Sequence, residues 1–446
     1  MLRRRILGLT IIFLSLAASQ AQAKDSVVGF QVAQPPAPAS VEKVAAPKKE
    51  SPLTAKQSVV GQKTLTSSKK SSAATAAPAP APVPEVKAEA PAAPAKEEVK
   101  TTGYKKGFFI QTSDEKYRLQ INGYAQFETD YDREAGKNKF GFRMRNVRLT
   151  FSGHLATKKL TYKLQVDFAK FKDELLLDAW TQYKFNDMVE VRVGQQDIPW
   201  IRQSIISSSN LEFTDRSIAT LEFLNAQAQD TDKDGKPDKL VKNGRDVGVV
   251  VQGTPFNKKM EYNVGFFNGS GTNSTNFNNQ LLYTGRAVYN IVGEAGYEEG
   301  DFAHSEKPAA YFGGSGNYNV RDLSDDKVTQ FGTEAGMKYK GFAFQSEFFY
   351  RHTKPGDTTL ATTNDYGYYA QAGYFLIPKH LEVDARASQV FLQGLQNDKA
   401  EFMAGLNYYV LGQHIKLQSD YAVLPANTKN GVETSQRWRL KLQTKF

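Results

Sequence analysis

The segment Arg437-Trp438-Arg439-Leu440-Lys441-Leu442-Gln443-Thr444-Lys445-Phe446 alternates polar and apolar residues to its last position. A period of two is that of a β-strand, so Trp438, Leu440, Leu442 and Phe446 share one face and Arg437, Arg439, Lys441 and Lys445 the other. A soluble sandwich would turn the basic face outward to water. A barrel in a membrane would turn the apolar face to lipid and line a wet lumen with the basic one. The rest of the chain decides between the two.

The alternation recurs from about residue 103 onward. In the first long run Leu119, Ile121, Ala125 and Phe127 oppose Arg118, Gln120, Asn122, Tyr124, Gln126 and Glu128. In the third, Leu160, Tyr162, Leu164, Val166 and Phe168 oppose Lys163, Gln165 and Asp167. A polar face repeated strand after strand needs water behind it, which favours a wide channel over a filled core. The runs predict sixteen strands, at roughly 117–131, 140–154, 160–171, 175–185, 189–198, 245–254, 260–268, 280–291, 308–318, 328–339, 342–353, 364–376, 381–391, 399–410, 413–424 and 434–446. An even number lets both ends emerge on one side. One set of connections is short, as in Lys340-Gly341 and Leu411-Gly412, and the other is longer, with 199–244 much the longest. The expected fold is therefore all-β, a sixteen-stranded antiparallel transmembrane barrel occupying residues 103–446.

Upstream the texture differs. Arg3, Arg4 and Arg5 precede an apolar run from Ile6 to Ala17, and Ala21-Gln22-Ala23 supplies small residues. Residues 1–23 read as a secretory signal cleaved after Ala23, too short for a membrane anchor. Residues 24–102 hold eleven of the 18 prolines among Ala, Lys and Glu, as in Pro78-Ala79-Pro80-Ala81-Pro82. Such a stretch has too little apolar surface to offset its chain entropy and is expected to be a disordered periplasmic linker. It is either a plain spacer or a tether to the anionic cell wall, peptidoglycan. The chain has no cysteine, so an exported barrel must be held by burial and hydrogen bonds alone.

The net charge of +10 suggests anionic partners without saying which. Nothing reads as a nucleic-acid module. The five histidines are scattered and none sits in a metal or triad motif, so an enzyme is not expected. The chemistry lies instead in the inward charges. Arg437, Arg439, Lys441 and Lys445 on the last strand are expected to adjoin Arg118 on the first. The second strand adds Arg143, Arg145 and Arg148, and the third Lys163. Arg143 and Arg145 share one parity and Arg148 has the other, so either a bulge intervenes or one set faces elsewhere. A column of guanidinium forks would favour small anions, including oxyanions such as phosphate or polyphosphate. Against this, Glu334, Glu347, Glu382 and Asp384 fall on inward positions, and the segment 321–327 is mainly acidic. Opposed basic and acidic walls would give a transverse field and a general diffusion pore. The expected function is passive diffusion of small hydrophilic solutes with a preference for anions; a general diffusion pore and a structural role in tethering the outer membrane to the cell wall are the alternatives.

Within the longest connection, Asp230, Asp232, Asp234, Lys236 and Asp238, with Gly235, have the spacing of a calcium loop. Position twelve is Val241, so the bidentate Glu of an EF-hand is missing. A solitary calcium loop and a solvated acidic turn are both compatible with it.

Several segments resemble the phosphate-selective porin O and P family. They are Phe142-Arg143-Met144-Arg145-Asn146-Val147-Arg148-Leu149, Val193-Gly194-Gln195-Gln196-Asp197-Ile198-Pro199 continuing to Asp215-Arg216-Ser217, Gly244-Arg245-Asp246-Val247-Gly248, and Phe266-Phe267-Asn268-Gly269. The resemblance covers about residues 108–446. It implies a sixteen-stranded porin of the bacterial outer membrane, usually a homotrimer among the lipids, with its third outer loop folded into the lumen.

Overall fold

The computed structural model describes residues 100–170, 175–224, 226–229, 239–242, 244–393, 398–428 and 431–446. The expected signal, nearly all of the linker and the whole of Asp230–Asp238 lie outside these residues.

Two short strands, β1 (Thr102–Tyr104) and β2 (Phe108–Gln111), come first. The wall then runs β3 (Arg118–Glu134), β4 (Lys137–Leu155), β5 (Thr157–Asp167), β6 (Leu176–Lys184) and β7 (Glu190–Asp197). After a long connection that carries the two-stranded ribbon β8 (Ala226–Gln229) and β9 (Lys239–Lys242), it resumes at β10 (Arg245–Gly253). There follow β11 (Met260–Phe267), β12 (Leu282–Val292), β13 (Ala309–Val320), β14 (Lys327–Tyr339) and β15 (Phe342–Lys354). The last five are β16 (Thr363–Ile377), β17 (Leu381–Phe391), β18 (Lys399–Leu411), β19 (Ile415–Thr428) and β20 (Gly431–Lys445).

Every wall strand pairs antiparallel with its neighbours, and β7 pairs with β10 across the long connection, from Arg245↔Asp197 to Gln252↔Glu190. β20 returns to β3 from Gln436↔Arg133 to Lys445↔Tyr124, closing a sixteen-stranded barrel. Closure leaves no strand edge, so the wall's backbone groups are paired without water. β2 continues the line of β20 along the rest of β3, from Phe108↔Ile121 to Gln111↔Arg118. That short addition was not legible in the strand pattern. It corrects one expectation, because Arg118 stands opposite Gln111 and not beside the basic residues of β20.

The burial pattern is inside-out. Phe142, Phe266, Phe331, Leu406 and Trp438 are exposed, while Gln126, Glu128, Glu382, Lys441 and Gln443 are fully buried. Apolar side chains facing outward around a closed wall suit hydrocarbon, which solvates them. Among the described residues no helix is long and apolar enough to cross a membrane, so the crossing elements are strands.

Connections punctuate where the turn chemistry allows. Lys340 and Gly341 have φ of 48° and 81°, the two positive values of a two-residue hairpin turn whose twist matches that of the strands. Ala135 and Gly136 do the same between β3 and β4, with φ of 48° and 75°. That connection was expected to be longer, but the strands run on to the turn. Between β3 and β4 the register slips, so that Gln126 faces Asn146, Phe127 faces Met144 and Arg145 is left as the extra residue. This bulge resolves the parity conflict: Arg143 stands opposite Glu128, Arg148 opposite Tyr124, and Arg145 reaches Glu128 from between them.

Candidate functional site

The inward face carries ion pairs built from residues on neighbouring strands. Arg143 bonds to Asp130 at 3.0 Å and also to Glu128. Arg145 reaches Asp215 at 2.7 Å and Arg148 reaches Asp167 at 2.9 Å. Lys163 pairs with Asp178 at 2.6 Å. Arg439 binds Asp130 at 2.8 Å and Asp215 at 3.3 Å, and Arg437 lies 3.6 Å from Glu401. The fold therefore brings most of the anticipated basic residues onto one arc, but six of them arrive with a carboxylate. Lys441 is different: its ammonium donates to the Thr214 carbonyl at 3.2 Å. Arg118 sits apart, donating to Gln111 and Gln120 with its guanidinium 4.0 Å from the Phe109 ring.

Asp130, Asp178 and Glu401 were not singled out by sequence reasoning, and Asp167 and Asp215 were named only as an inward residue and as part of a family-like segment, without a partner. Their signal was available, since the wall acids all fall on the inward parity, but partnership depends on register between strands. On the opposite arc Arg286 is clamped by Glu261 and Glu334, each at 2.7 Å, and Arg351 by Asp365 at 2.8 Å.

The backbone of residues 202–223 is bonded to side chains on the buried face of the wall. Gln126 of β3 donates to Ser208, Lys416 and Gln418 of β19 to Leu211, and Asn407 of β18 to Glu212. Lys441 and Gln443 of β20 donate to Thr214 and Ser209, and Arg351 of β15 to Glu222. In return, Glu347 of β15 accepts the amides of Arg202 and Gln203, and Asp420 of β19 accepts that of Thr214. Ser217 caps the short helix Ile218–Phe223, its hydroxyl accepting from the Thr220 amide. That helix drives Phe223 into an apolar cluster with Ile198, Trp200, Phe349, Tyr369 and Val390. Phe223 stacks on Phe349 at 5.5 Å. So the inward face is not uniformly polar; it turns apolar where this segment lies. The signal was present in Phe348-Phe349-Tyr350 and Tyr368-Tyr369, runs that are apolar on both parities.

Charges on the segment are displaced from their ordinary behaviour. Burial would raise the Asp215 carboxyl, but Arg145, Arg439 and Arg437 together hold it well below the usual carboxylate range. Glu212 goes the other way: burial, then the charges of Glu382 and Glu299, push it well above that range. Burial and then the nearby Arg148 lower Arg216, whose guanidinium donates, among the described residues, to the carbonyls of Gln203, Ser204 and Ile206.

Between β5 and β11, and bordered on the segment's side by Ile205, there is a cavity of about 380 Å³ whose other walls include Lys163, Asp178, Trp180, Glu190, Arg192 and Tyr297. Arg192 stacks over Trp180 at 4.4 Å and donates to Gln182 at 2.8 Å; among the described residues it pairs with no carboxylate.

A closed wall with an apolar exterior, a charged interior and a segment tied across one side is the anatomy of a channel. The profile of the family described as phosphate-selective porin O and P matches residues 116–446. The chain belongs to that family. No curated protein matches it. Among solved structures the porin is similar to the outer membrane channel DcaP of Acinetobacter baumannii, at 14% identity and a TM-score of 0.48, over 76% of this chain and 99% of that one. It is also similar to Salmonella typhi OmpF in complex with daunomycin, at 12% identity and a TM-score of 0.49, over 77% and 99%. OmpT of Vibrio cholerae, folded in vitro and in trimer form, gives 10% identity and a TM-score of 0.48, over 74% and 99%. The porin's fold is established by its own register; its place is the outer membrane, as for the family.

Proposed function

We propose that this porin lets small hydrophilic solutes diffuse across the outer membrane with weak charge selectivity, through a pore narrowed by residues 199–224 as an inward-folded third outer loop. The observation that carries this reading is the pairing of Arg143, Arg145, Arg148, Lys163, Arg437 and Arg439 with wall or segment carboxylates. A paired cation attracts anions far less than a bare one, because its field is cancelled within a few ångströms. What remains is a field across the pore, which orients dipolar solutes.

Anion preference, with phosphate or polyphosphate as solute, is the second reading. Arg192 at the cavity and the buried Lys441, neither of which is within ion-pair distance of a carboxylate among the described residues, favour it. The reversal potential of the refolded porin in a KCl gradient, followed by phosphate titration, separates the two. A small potential and no block support the general pore. A strong chloride preference with block by low phosphate would replace it.

The same reading makes the porin a homotrimer. The acidic segment Asp230–Asp238 would take up calcium at extracellular concentration, and the Pro-rich linker would lie on the periplasmic side.

A further inference from the structure

Three carboxylates meet at the junction of the segment and the wall. Glu212 comes from the segment, and Glu382 and Asp384 share the inward face of β17. One ligand oxygen from each lies within 4.8 Å of the others. All three side chains are buried, with 3%, 0% and 6% of their surface exposed. Each holds one oxygen on a protein donor. Glu212 Oε2 accepts from Gln371 at 2.9 Å, Glu382 Oε2 from the Tyr409 hydroxyl at 2.6 Å, and Asp384 Oδ2 from Asn407 Nδ2 at 2.6 Å. The other oxygens, Glu212 Oε1, Glu382 Oε1 and Asp384 Oδ1, meet no hydrogen-bond donor.

Those three free oxygens converge where two glycines leave room. A Cβ on Gly373 would stand 2.5 Å from both Asp384 Oδ1 and Glu212 Oε1, and one on Gly300 would collide with Glu382 Oε1. None of the three acids forms an ion pair among the described residues, and the nearby Lys416 is committed to the Leu211 carbonyl at 3.0 Å. Buried carboxylates are ordinarily paired or coordinate a metal. Anchored outer oxygens with free inner ones are the arrangement in which hydrogen bonds orient ligands towards an ion.

We propose that Glu212, Glu382 and Asp384 form a site for a hard divalent cation, calcium in the first instance. An all-oxygen, all-carboxylate donor set excludes a preference for soft metals, and calcium accepts irregular oxygen cages completed by water. The ion would join the segment to β17, neutralise charge beside the pore and so set how firmly the segment is held. This site is separate from Asp230–Asp238, which shares no residue with it.

Terbium tests it in the full chain, stripped with chelator and excited through tyrosine; Tyr409, bonded to Glu382, is the sensitiser. In an Asp232→Asn/Asp234→Asn background, one terbium per chain should still bind, be displaced by calcium, and become at least about a hundredfold weaker with Glu212→Gln/Asp384→Asn. Gly373→Ala, which keeps every carboxylate but fills the space, should abolish binding as well. The site is overturned if the Asp232→Asn/Asp234→Asn protein binds no terbium. It is equally overturned if the Glu212→Gln/Asp384→Asn protein binds it with unchanged affinity. The luminescence reads binding alone and is independent of conductance.

Discussion

Asp215 is one of the joints by which the segment is fastened to the wall, here to β4 and β20, and Asp215→Asn tests that fastening. Its carboxylate takes Arg145 at 2.7 Å, Arg439 at 3.3 Å and the Arg216 amide at 2.8 Å. Asparagine keeps the shape and one acceptor oxygen but removes the charge. A hydrogen bond to a charged group is worth about 1.5–3 kcal/mol against about 0.5–1.5 for a neutral one, so the loss is about 1 kcal/mol for each arginine. Neither arginine is stranded, since Arg439 keeps Asp130 at 2.8 Å and Arg145 keeps Glu128 at 3.8 Å. A total near 2 kcal/mol multiplies the detached population of the segment about thirtyfold, given tenfold for each 1.4 kcal/mol. Two assays read that population: the rate of protease cleavage within 199–224, and the open-channel current noise. Cleavage and noise within about twofold of the parent would refute the fastening role, against the thirtyfold worked out above. The pH dependence has a definite sign. The native carboxyl titrates below its unfolded value, so its contribution is fully present above that value and is lost only as pH falls through the depressed one. The fastening should therefore survive at a pH where ordinary carboxylates are already protonated.

Arg143→Ala with Arg145→Ala leaves Glu128 and Asp130 short of partners and should move the reversal potential towards cations while the barrel still folds; an unmoved potential would show that these residues do not border the ion path. Asp232→Ala with Asp234→Ala should abolish calcium-dependent protection of residues 225–243 from protease, and equal cleavage of the parent in calcium and in chelator would remove that site. Deleting residues 24–102 should leave single-channel conductance unchanged and release the barrel from sedimented cell wall; if attachment is also unchanged, the linker is only a spacer.

The family resemblance, the order of the sixteen wall strands and the face each residue takes were legible because these signals are local, while the long β3–β4 hairpin and the short strands β1 and β2 were not. The alternation around Leu119, Leu164 and Trp438 specifies which side of the wall each residue occupies, and Lys340-Gly341 specifies where the chain turns. The candidate site was legible only as a set of inward charges. Phe349, Tyr369 and Val390 also held a readable hint, an apolar patch on the wrong parity, which the hydrophobic packing of Phe223 explains.

By itself, then, the sequence determined the closed sixteen-stranded wall and its two faces, because a period of two and a turn involve only residues close in the chain. The tertiary structure decided what the inward charges do. A single bulge at Arg145 set the phase of three arginines, and the register of β20 on β3 joined Arg439 to Asp130, more than 300 positions away. The course of residues 202–223 carried Asp215 to Arg145 and Glu212 to Asp384. Charge interactions fall with distance in space, not along the chain. Only closure of the barrel and docking of the segment could therefore determine which cations are paired and which carboxylates are left to share a space.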